Sequence, residues 1–511
     1  MKKIFRFFSS RLFLIGAPIV IQALVLVIVI WQFTSYFVYF YATCTLLSVI
    51  ALLRILTGKS NPAYKIAWII PILLFPIFGG LIYMLFGGNK SSKRIKRKMA
   101  EIQERMTQSL GQNEAILKEI ELQNRSIANQ SRYIERYSYC PVYKNTVSEY
   151  LSPGERMFER LLEELKKAER YIFLEYFIIE KGIMWDTILE VLLEKVRQGV
   201  DVRVLYDDVG CLLTLPYGYD KQLEKLGVKC SVFNRVVPVL SFHVNNRDHR
   251  KIAIIDGFTA FTGGINLADE YINAYEKYGH WKDSAILIQG EAVWSFTVMF
   301  LSLWNYQRKT VEGYEQFRPL KHKVKTFASD GYVQPFTDSP LDEESVGETV
   351  YLNLISNAEH YIYINTPYLI LDYEMIIALC SAAKRSVDVR IITPHIPDKW
   401  FVHSVTRANY QVLVESGVKI YEYTPGFNHA KSFAVDDELG VVGTINLDYR
   451  SLYLHFECGV WMYQTRSVLQ VKEDFLKTLE QCQYITLDTC RNVKLYKRLG
   501  RIILRAFAPL M

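Results

Sequence analysis

Hydrophobic positions follow two patterns along this chain. From Leu12 to Leu53 none of 42 residues is charged, too long for one membrane span of about 20 residues and suited to two. The polar "QFTS" at 32–35 separates predicted spans near 12–31 and 36–53. A third apolar stretch, 66–86, holds Pro71, Pro76, Gly79 and Gly80, which would break a soluble helix but are common in membrane helices. Trp31, Tyr36, Tyr39, Tyr41, Trp68 and Tyr83 near span ends fit interfacial belts. Residues 1–90 are therefore expected to form a transmembrane anchor of about three spans; a signal peptide would be shorter and end in a small-residue cleavage site. Positive charge is balanced on the two sides, so the orientation stays open.

Residues 91–140 change character: "KRIKRKMAEIQERMTQ" and "AILKEIELQNRS" predict a charged, solvated helical connector. Beyond it, short β-rich runs alternate with amphipathic helical ones, which predicts α/β layers with mixed, mostly parallel sheets. The pattern also repeats. "AERYIFLEYFI" (168–178) matches "AEHYIYINTPYLI" (358–370), "VDVRVLYDD" (200–208) matches "VDVRIITPH" (387–395), and "LEKLGVK" matches "LVESGVK". Then "HRKIAIIDGFTAFTGGINLADEY" (249–271) matches "HAKSFAVDDELGVVGTINLDYRS" (429–451). Same order and similar offsets indicate a duplication, with halves at 141–320 and 321–511.

The chemistry lies in the last matching pair. His249, Lys251 and Asp256 recur as His429, Lys431 and Asp436. A lone His-x-Lys-x4-Asp is weak evidence; two copies at equivalent places in a duplicated fold are strong. Read as a strand, "HRKIAIID" puts His249 and Lys251 on one face and Asp256 on the other, so both aspartates read as structural anchors for the turns that follow. Each copy is trailed by small residues ending in Asn. Gly264 and Asn266 in "TGGIN", and Thr444 and Asn446 in "VGTIN", are candidates to approach an anionic phosphate. Two lysines can neutralise a phosphodiester, one imidazole can attack phosphorus, and the other can carry the proton. Such a site needs no metal or other cofactor. A reactive imidazole needs an acceptor on its second nitrogen; within each half, Asp283 is expected to orient His249 and Glu457 to orient His429. Glu175, at a strand end, is a candidate substrate contact. The other histidines, His243, His280, His360, His395, His403 and His455, read as core or surface residues, with lining of the site the alternative for His243 and His280.

Composition narrows the partner. Half of the residues are hydrophobic, 14% are aromatic and the net charge is +7, which suits anionic lipid and argues little for nucleic acid once the anchor is considered. The eight cysteines form no CxxC pair; most read as buried thiols, with Cys482 and Cys490 a weak disulfide candidate. The tail "RNVKLYKRLGRIILRAFAPLM" is basic and amphipathic, suited either to a membrane interface or to packing as a terminal helix.

The twin motifs with their "GGIN" and "GTIN" loops resemble the phospholipase D superfamily. Within it, "NNRDHRKIAIIDG", "GTINLDYRSLYLHFECG" and "NPAYKIAWIIPILLFPIFGGLIYMLFG" are similar to the bacterial cardiolipin synthases. That resemblance implies two phospholipase D-like α/β halves around a pseudo-twofold site. It implies phosphatidyl transfer between two phosphatidylglycerol molecules through a phosphatidyl-histidine, giving cardiolipin and glycerol. It also implies His249 as nucleophile, His429 as acid/base, and a multi-pass place in the bacterial plasma membrane. A hydrolase or nuclease using water as acceptor is the alternative; assembly as a homo-oligomer stays open.

Overall fold

The computed structural model describes residues 11–32, 37–58, 61–75, 78–80, 82–83, 87, 93–111, 113–236, 246–319, 331–342 and 344–510. His243 therefore lies outside the described residues.

Helices occupy Arg11–Gln32 and Phe37–Thr57. Among the described residues one helix, Val38–Thr57, is long and apolar enough to cross a membrane; several side chains of the first expected span fall outside them. The third expected span is not one. Helix Pro62–Leu74, capped by the Asn61 side chain, runs 13 residues and stops at Phe75, about 20 Å at 1.5 Å per residue. The chain then doubles back. The rings of Trp68 and Tyr83 stand 5.4 Å apart, whereas fifteen residues of straight helix would separate them by about 22 Å. Tyr64 donates its hydroxyl to the carbonyl of Gly87 at 3.2 Å. A Cβ on Gly79 would fall 2.5 Å from Ile72 Cα, so only glycine allows the returning backbone to lie there.

The connector is less solvated than its charge suggests. Helices Glu114–Gln123 and Arg125–Ser138 bury Leu117, Ile120, Ile127 and Ile134 in the core of the second half. Trp461 Nε1 donates to Gln130 Oε1 at 2.6 Å, and Ser131 Oγ donates to Gln334 at 2.7 Å. The helices are amphipathic, and their apolar stripes have a surface to cover.

Each half is a sheet in which equivalent strands take equivalent places. The first runs in the order Thr146–Leu151, Ala285–Gly290, Thr259–Gly263, Ile252–Ile255, Tyr171–Tyr176, Asp201–Asp207, Lys229–Phe233. The second runs Tyr332–Asp338, His455–Tyr463, Leu439–Gly443, Ser432–Val435, Tyr361–Asn365, Asp388–Pro394, Lys419–Tyr423, Cys482–Ile485. The sheets are mixed, but the expectation of mostly parallel pairing fails. Within each half only the strands joined by crossover helices run parallel, such as Tyr171–Tyr176 with Asp201–Asp207 and Tyr361–Asn365 with Asp388–Pro394. The motif strands arrive through hairpins and pair antiparallel. Between the halves lies a shared core in which Phe173, Ile254, Ile286 and Phe300 join Ala434, Val460 and Phe475. Burying each such side chain stabilises by about 1.5–3 kcal/mol, so the halves are held as one body.

Cys482 and Cys490 are free thiols, like the other six. The tail forms helix Leu495–Ala506, packed along Trp400–Glu415.

Candidate active site

The motif histidines and lysines precede their strands, which begin at Ile252 and Ser432. The pairing that fixes the histidines comes from the opposite half. Arg247–Asp248 pairs in parallel with His455–Phe456, and Gly426–Asn428 with His280–Lys282. The His249 N–H donates to Phe456 O at 2.9 Å, and the His429 N–H to Lys282 O at 2.7 Å. The next residue on each partner strand is a carboxylate.

This register overturns the expected within-half pairing. His249 Nδ1 meets Glu457 Oε1 at 2.8 Å, and His429 Nδ1 meets Asp283 Oδ2 at 2.7 Å. Asp283 thus orients His429, and Glu457 orients His249. Each carboxylate accepts, so each Nδ1 carries the proton and each Nε2 keeps its lone pair. Neither Nε2 has a partner among the described residues. Lys431 Nζ lies 3.0 Å from His429 Nδ1; because that nitrogen donates to Asp283, the lysine is a close cation there, not its donor.

Lys251 Nζ donates to His249 O at 2.6 Å and Lys431 Nζ to His429 O at 2.5 Å. Both lysines are buried, and one bond each leaves ammonium protons for a substrate. Burial pushes Lys251 down to about 8 and Lys431 to about 7, with neighbouring carboxylates opposing. Burial and then the lysines hold His249 well below the usual imidazole range, and the same causes bring His429 to about 4 despite Asp283. In the free site the imidazoles are neutral at pH 7.

The loop residues divide. Thr444 donates its hydroxyl to Glu457 Oε2, so it braces a carboxylate instead of facing a phosphate. Gly264 gives its N–H to Ser284 O, and a Cβ there would fall 2.0 Å from Asp283 Oδ1; it makes room for that carboxylate. Asn266 accepts from Ile178 N at 3.0 Å and donates to Tyr271 Oη at 2.7 Å, which ties the loop down. Thr444 and Gly264 are therefore not free phosphate donors, because their polar groups are spent on the protein, whereas Asn266 keeps one Nδ2–H. Asn446 is buried and its side-chain amide makes no hydrogen bond among the described residues, so both of its Nδ2–H groups are available to donate.

Asp256 and Asp436 lie away from the chemistry. Asp256 accepts from the N–H groups of Glu169, Arg170 and Tyr171 at 2.8, 2.7 and 2.9 Å. Asp436 accepts from Glu359, His360 and Tyr361 at 2.7, 2.9 and 2.7 Å. Both adopt positive φ, 52° and 50°, in the left-handed region that Asp tolerates better than most residues. Glu175 is fully buried with Oε1 2.7 Å from Arg250 Nη2, so it braces Arg250 instead of reaching a substrate.

His455 was missed by sequence reasoning. Its ring centre lies 5.5 Å from that of His249 and its Nδ1 3.8 Å from Glu457 Oε1. Nε2 accepts from Arg450 Nε at 3.3 Å, so the proton sits on Nδ1. Burial pushes this imidazole down to about 3. Its counterpart in the repeat, two residues before Asp283, is Trp281, whose ring centre lies 5.3 Å from that of His429. The two catalytic candidates therefore differ in surroundings: Phe177 and His455 flank His249, while Tyr271, Trp281 and Phe427 flank His429. His280, by contrast, is exposed and bonds Tyr423 through Nδ1.

Among the described residues one group has the ligand types and spacing for a metal ion: His249, His455 and Glu457, with donor atoms within 4.8 Å. Filling it would compete for the Nδ1 that His249 gives to Glu457.

The family model described as "Cardiolipin synthase, PLD-like domain" matches residues 161–304 and 351–479, and "Phospholipase_D-nuclease N-terminal" matches 46–88. The chain is 33% identical to a cardiolipin synthase of Alkalihalophilus pseudofirmus over 88% of this chain and 90% of that one. It is 35% identical to a Geobacillus cardiolipin synthase over 88% and 89%. A crystal structure of phosphatidylserine synthase from Haemophilus influenzae shares the fold, with a TM-score of 0.55 and 17% identity over 75% of this chain and 97% of that one.

Proposed function

This chain belongs to the cardiolipin synthase family of phospholipase D-like proteins, and we propose that it transfers a phosphatidyl group between two phosphatidylglycerol molecules, releasing glycerol. The observation that carries this reading is the crossed pair His249–Glu457 and His429–Asp283: two imidazoles, each with Nδ1–H bound to a carboxylate and Nε2 left free for chemistry.

His249 Nε2 attacks the phosphorus of the first lipid. The bond from phosphorus to the glycerol oxygen breaks, and that oxygen takes a proton from His429 Nε2, so glycerol leaves and a phosphatidyl-histidine forms. The terminal glycerol hydroxyl of a second phosphatidylglycerol then gives its proton to His429 Nε2. Its oxygen attacks phosphorus, the P–N bond breaks, and cardiolipin leaves with His249 restored. His429 must start this cycle protonated. The negative charge of the bound phosphodiester offsets the lysines and raises its pKa from the empty-site value of about 4. Lys251 and Lys431 neutralise the nonbridging oxygens, with Asn446 beside them. One phosphodiester replaces another, so no nucleotide is consumed.

Both substrates are lipids of the membrane in which helix Phe37–Thr57, and with it Arg11–Gln32, is inserted in this reading. Anchoring raises the effective concentration of both. The test is incubation of the full chain with phosphatidylglycerol and separation of the products. Cardiolipin and glycerol in equal amounts are expected; phosphatidic acid without cardiolipin would assign water as the acceptor and reject the synthase reading.

A further inference from the structure

The C-terminal helix Leu495–Ala506 carries an apolar stripe that the protein leaves uncovered. Leu495, Tyr496, Leu499, Ile502 and Ile503 are 71, 65, 53, 58 and 61% exposed. Their spacing, i, i+1, i+4, i+7 and i+8, places them on one face. Leu504, on another side, packs against the cluster of Val402 and Val405, so the helix is docked on the catalytic half with its apolar stripe outward. Lys494, Lys497, Arg498 and Arg505 are exposed and cationic, and no acidic residue lies between 489 and 511.

The position of this helix relative to the anchor selects the occupant of the stripe. Just beyond the helix, Ala508 and Pro509 are buried and Leu510 packs against Ala51, Ile55, Trp68 and Ile72. Ala51 and Ile55 belong to the last turns of Phe37–Thr57, the helix able to cross a membrane. The tail is thus fastened to the end of that helix, where Arg54 begins the basic segment after the apolar run. Tyr373, 72% exposed, lines a cavity with Arg505 and with Ala63 and Ile66 of the anchor. Trp400, also 72% exposed, begins the helix on which the tail packs.

We propose that Leu495–Ala506 lies in the plane of the membrane, its apolar stripe among the acyl chains and its lysines and arginines on anionic headgroups. Burial of an apolar stripe with flanking cations is the general basis of interfacial helix binding, and aromatic rings such as Trp400 and Tyr373 suit the same depth. The fastening to Phe37–Thr57 sets this helix, and the catalytic half it packs on, at a fixed height over the headgroups.

The test uses the full chain in vesicles of phosphatidylglycerol and phosphatidylethanolamine, with the photo-crosslinker benzoylphenylalanine replacing Leu499. Illumination is expected to give a phospholipid adduct by mass spectrometry, and the same probe at Lys497, on another side of the helix, a several-fold weaker one. A crosslink to a second copy of the chain, or equal lipid labelling at both positions, overturns the proposal. A second arm is the double variant Leu499→Asp with Ile502→Asp. Both positions are exposed, so the variant should fold. Its rate on vesicles is expected to fall about tenfold while its rate in mixed micelles stays unchanged; equal rates on vesicles overturn it, and an equal loss in micelles does so too. Because the adduct is read without turnover, it is independent of the synthase reading.

Discussion

His249 gives its Nδ1 proton to Glu457 across 208 residues of sequence, from one half of a duplicated fold to the other. The reciprocal bond joins His429 to Asp283. Neither half on its own contains an oriented imidazole, so the active site is completed only when the halves dock.

The crossed pairing separates the carboxylates by step. Glu457→Gln should impair formation of the phosphatidyl-histidine, because its neutral amide no longer stabilises the imidazolium at the nucleophile. Asp283→Asn should leave adduct formation less affected than turnover, since it disturbs the proton carrier. Losses of about 10²- to 10⁴-fold are expected for a misoriented catalytic imidazole. Acid-quenched trapping with labelled phosphatidylglycerol reads the two steps; adduct lost in Asp283→Asn and retained in Glu457→Gln would reverse the roles of His249 and His429.

The motif aspartates are predicted to serve stability, not chemistry. Asp256→Ala or Asp436→Ala strips three backbone N–H groups of their acceptor. Each variant should lose about 2–4 kcal/mol and melt about 3–5 °C lower, while the folded fraction turns over near the parent rate. Thermal unfolding followed by tryptophan fluorescence, paired with kcat per folded molecule, checks this. An unchanged melting temperature with a lost kcat would place these residues in the chemistry.

The pH profile should be displaced from that of ordinary groups. The lysines act as cations, a form present below their pKa and lost as pH rises through about 7 for Lys431 and about 8 for Lys251. Burial and lysine charge keep the His249 lone pair available well below the usual imidazole range. kcat/KM, which reports the free enzyme, should therefore rise on acidification through pH 6, because His429 must be protonated and sits at about 4 in the empty site. It should fall more steeply above about pH 7–8 as the lysines lose their charge. Unperturbed groups would instead give a bell centred near 6.5, losing the His249 lone pair below it and the His429 proton above it. Initial rates between pH 5 and 9 distinguish the two.

Metal should inhibit, not assist. The lysines already supply the positive charge, so a chelator such as EDTA is expected to leave the initial rate within about twofold. Zn²⁺ should bind the His249, His455 and Glu457 cluster, displace the orienting bond and slow turnover. His455→Gln should weaken that inhibition about tenfold or more, by removing one of three ligands. Calorimetry with the metal alone gives a readout apart from activity; unaltered Zn²⁺ binding in the variant would remove His455 from the site.

Much of this molecule was legible before any fold. The apolar run to Leu53, the duplication and the residue types His, Lys and Asp at matching places are all properties of order along the chain. Order also identified Asp283 and Glu457 as the acidic partners, because each follows its motif at a similar distance. It assigned each to the histidine of its own half, and the structure crosses them. A repeat reveals that two residues are equivalent, not that they are adjacent. Adjacency came from two short strand pairings between halves, Arg247–Asp248 with His455–Phe456 and Gly426–Asn428 with His280–Lys282. They place each carboxylate one residue past the hydrogen bond that holds the other half's histidine.

The same distinction accounts for the other differences. Thr444 and Gly264 were visible as small residues near an anion, but the anion they serve is a carboxylate of the protein. His455 was visible as a histidine without a motif, and only the register of its strand against Arg247 brings it beside His249. The stretch 66–86 was apolar enough to read as a span, yet contacts between residues fifteen or more apart fold it back on itself. The sequence by itself determined which side chains are available, how they repeat and where the apolar surface lies, because local composition and periodicity follow from covalent order. The tertiary structure decided which of them touch, because hydrogen bonds and close packing act over a few ångströms and join residues that the chain holds hundreds of positions apart.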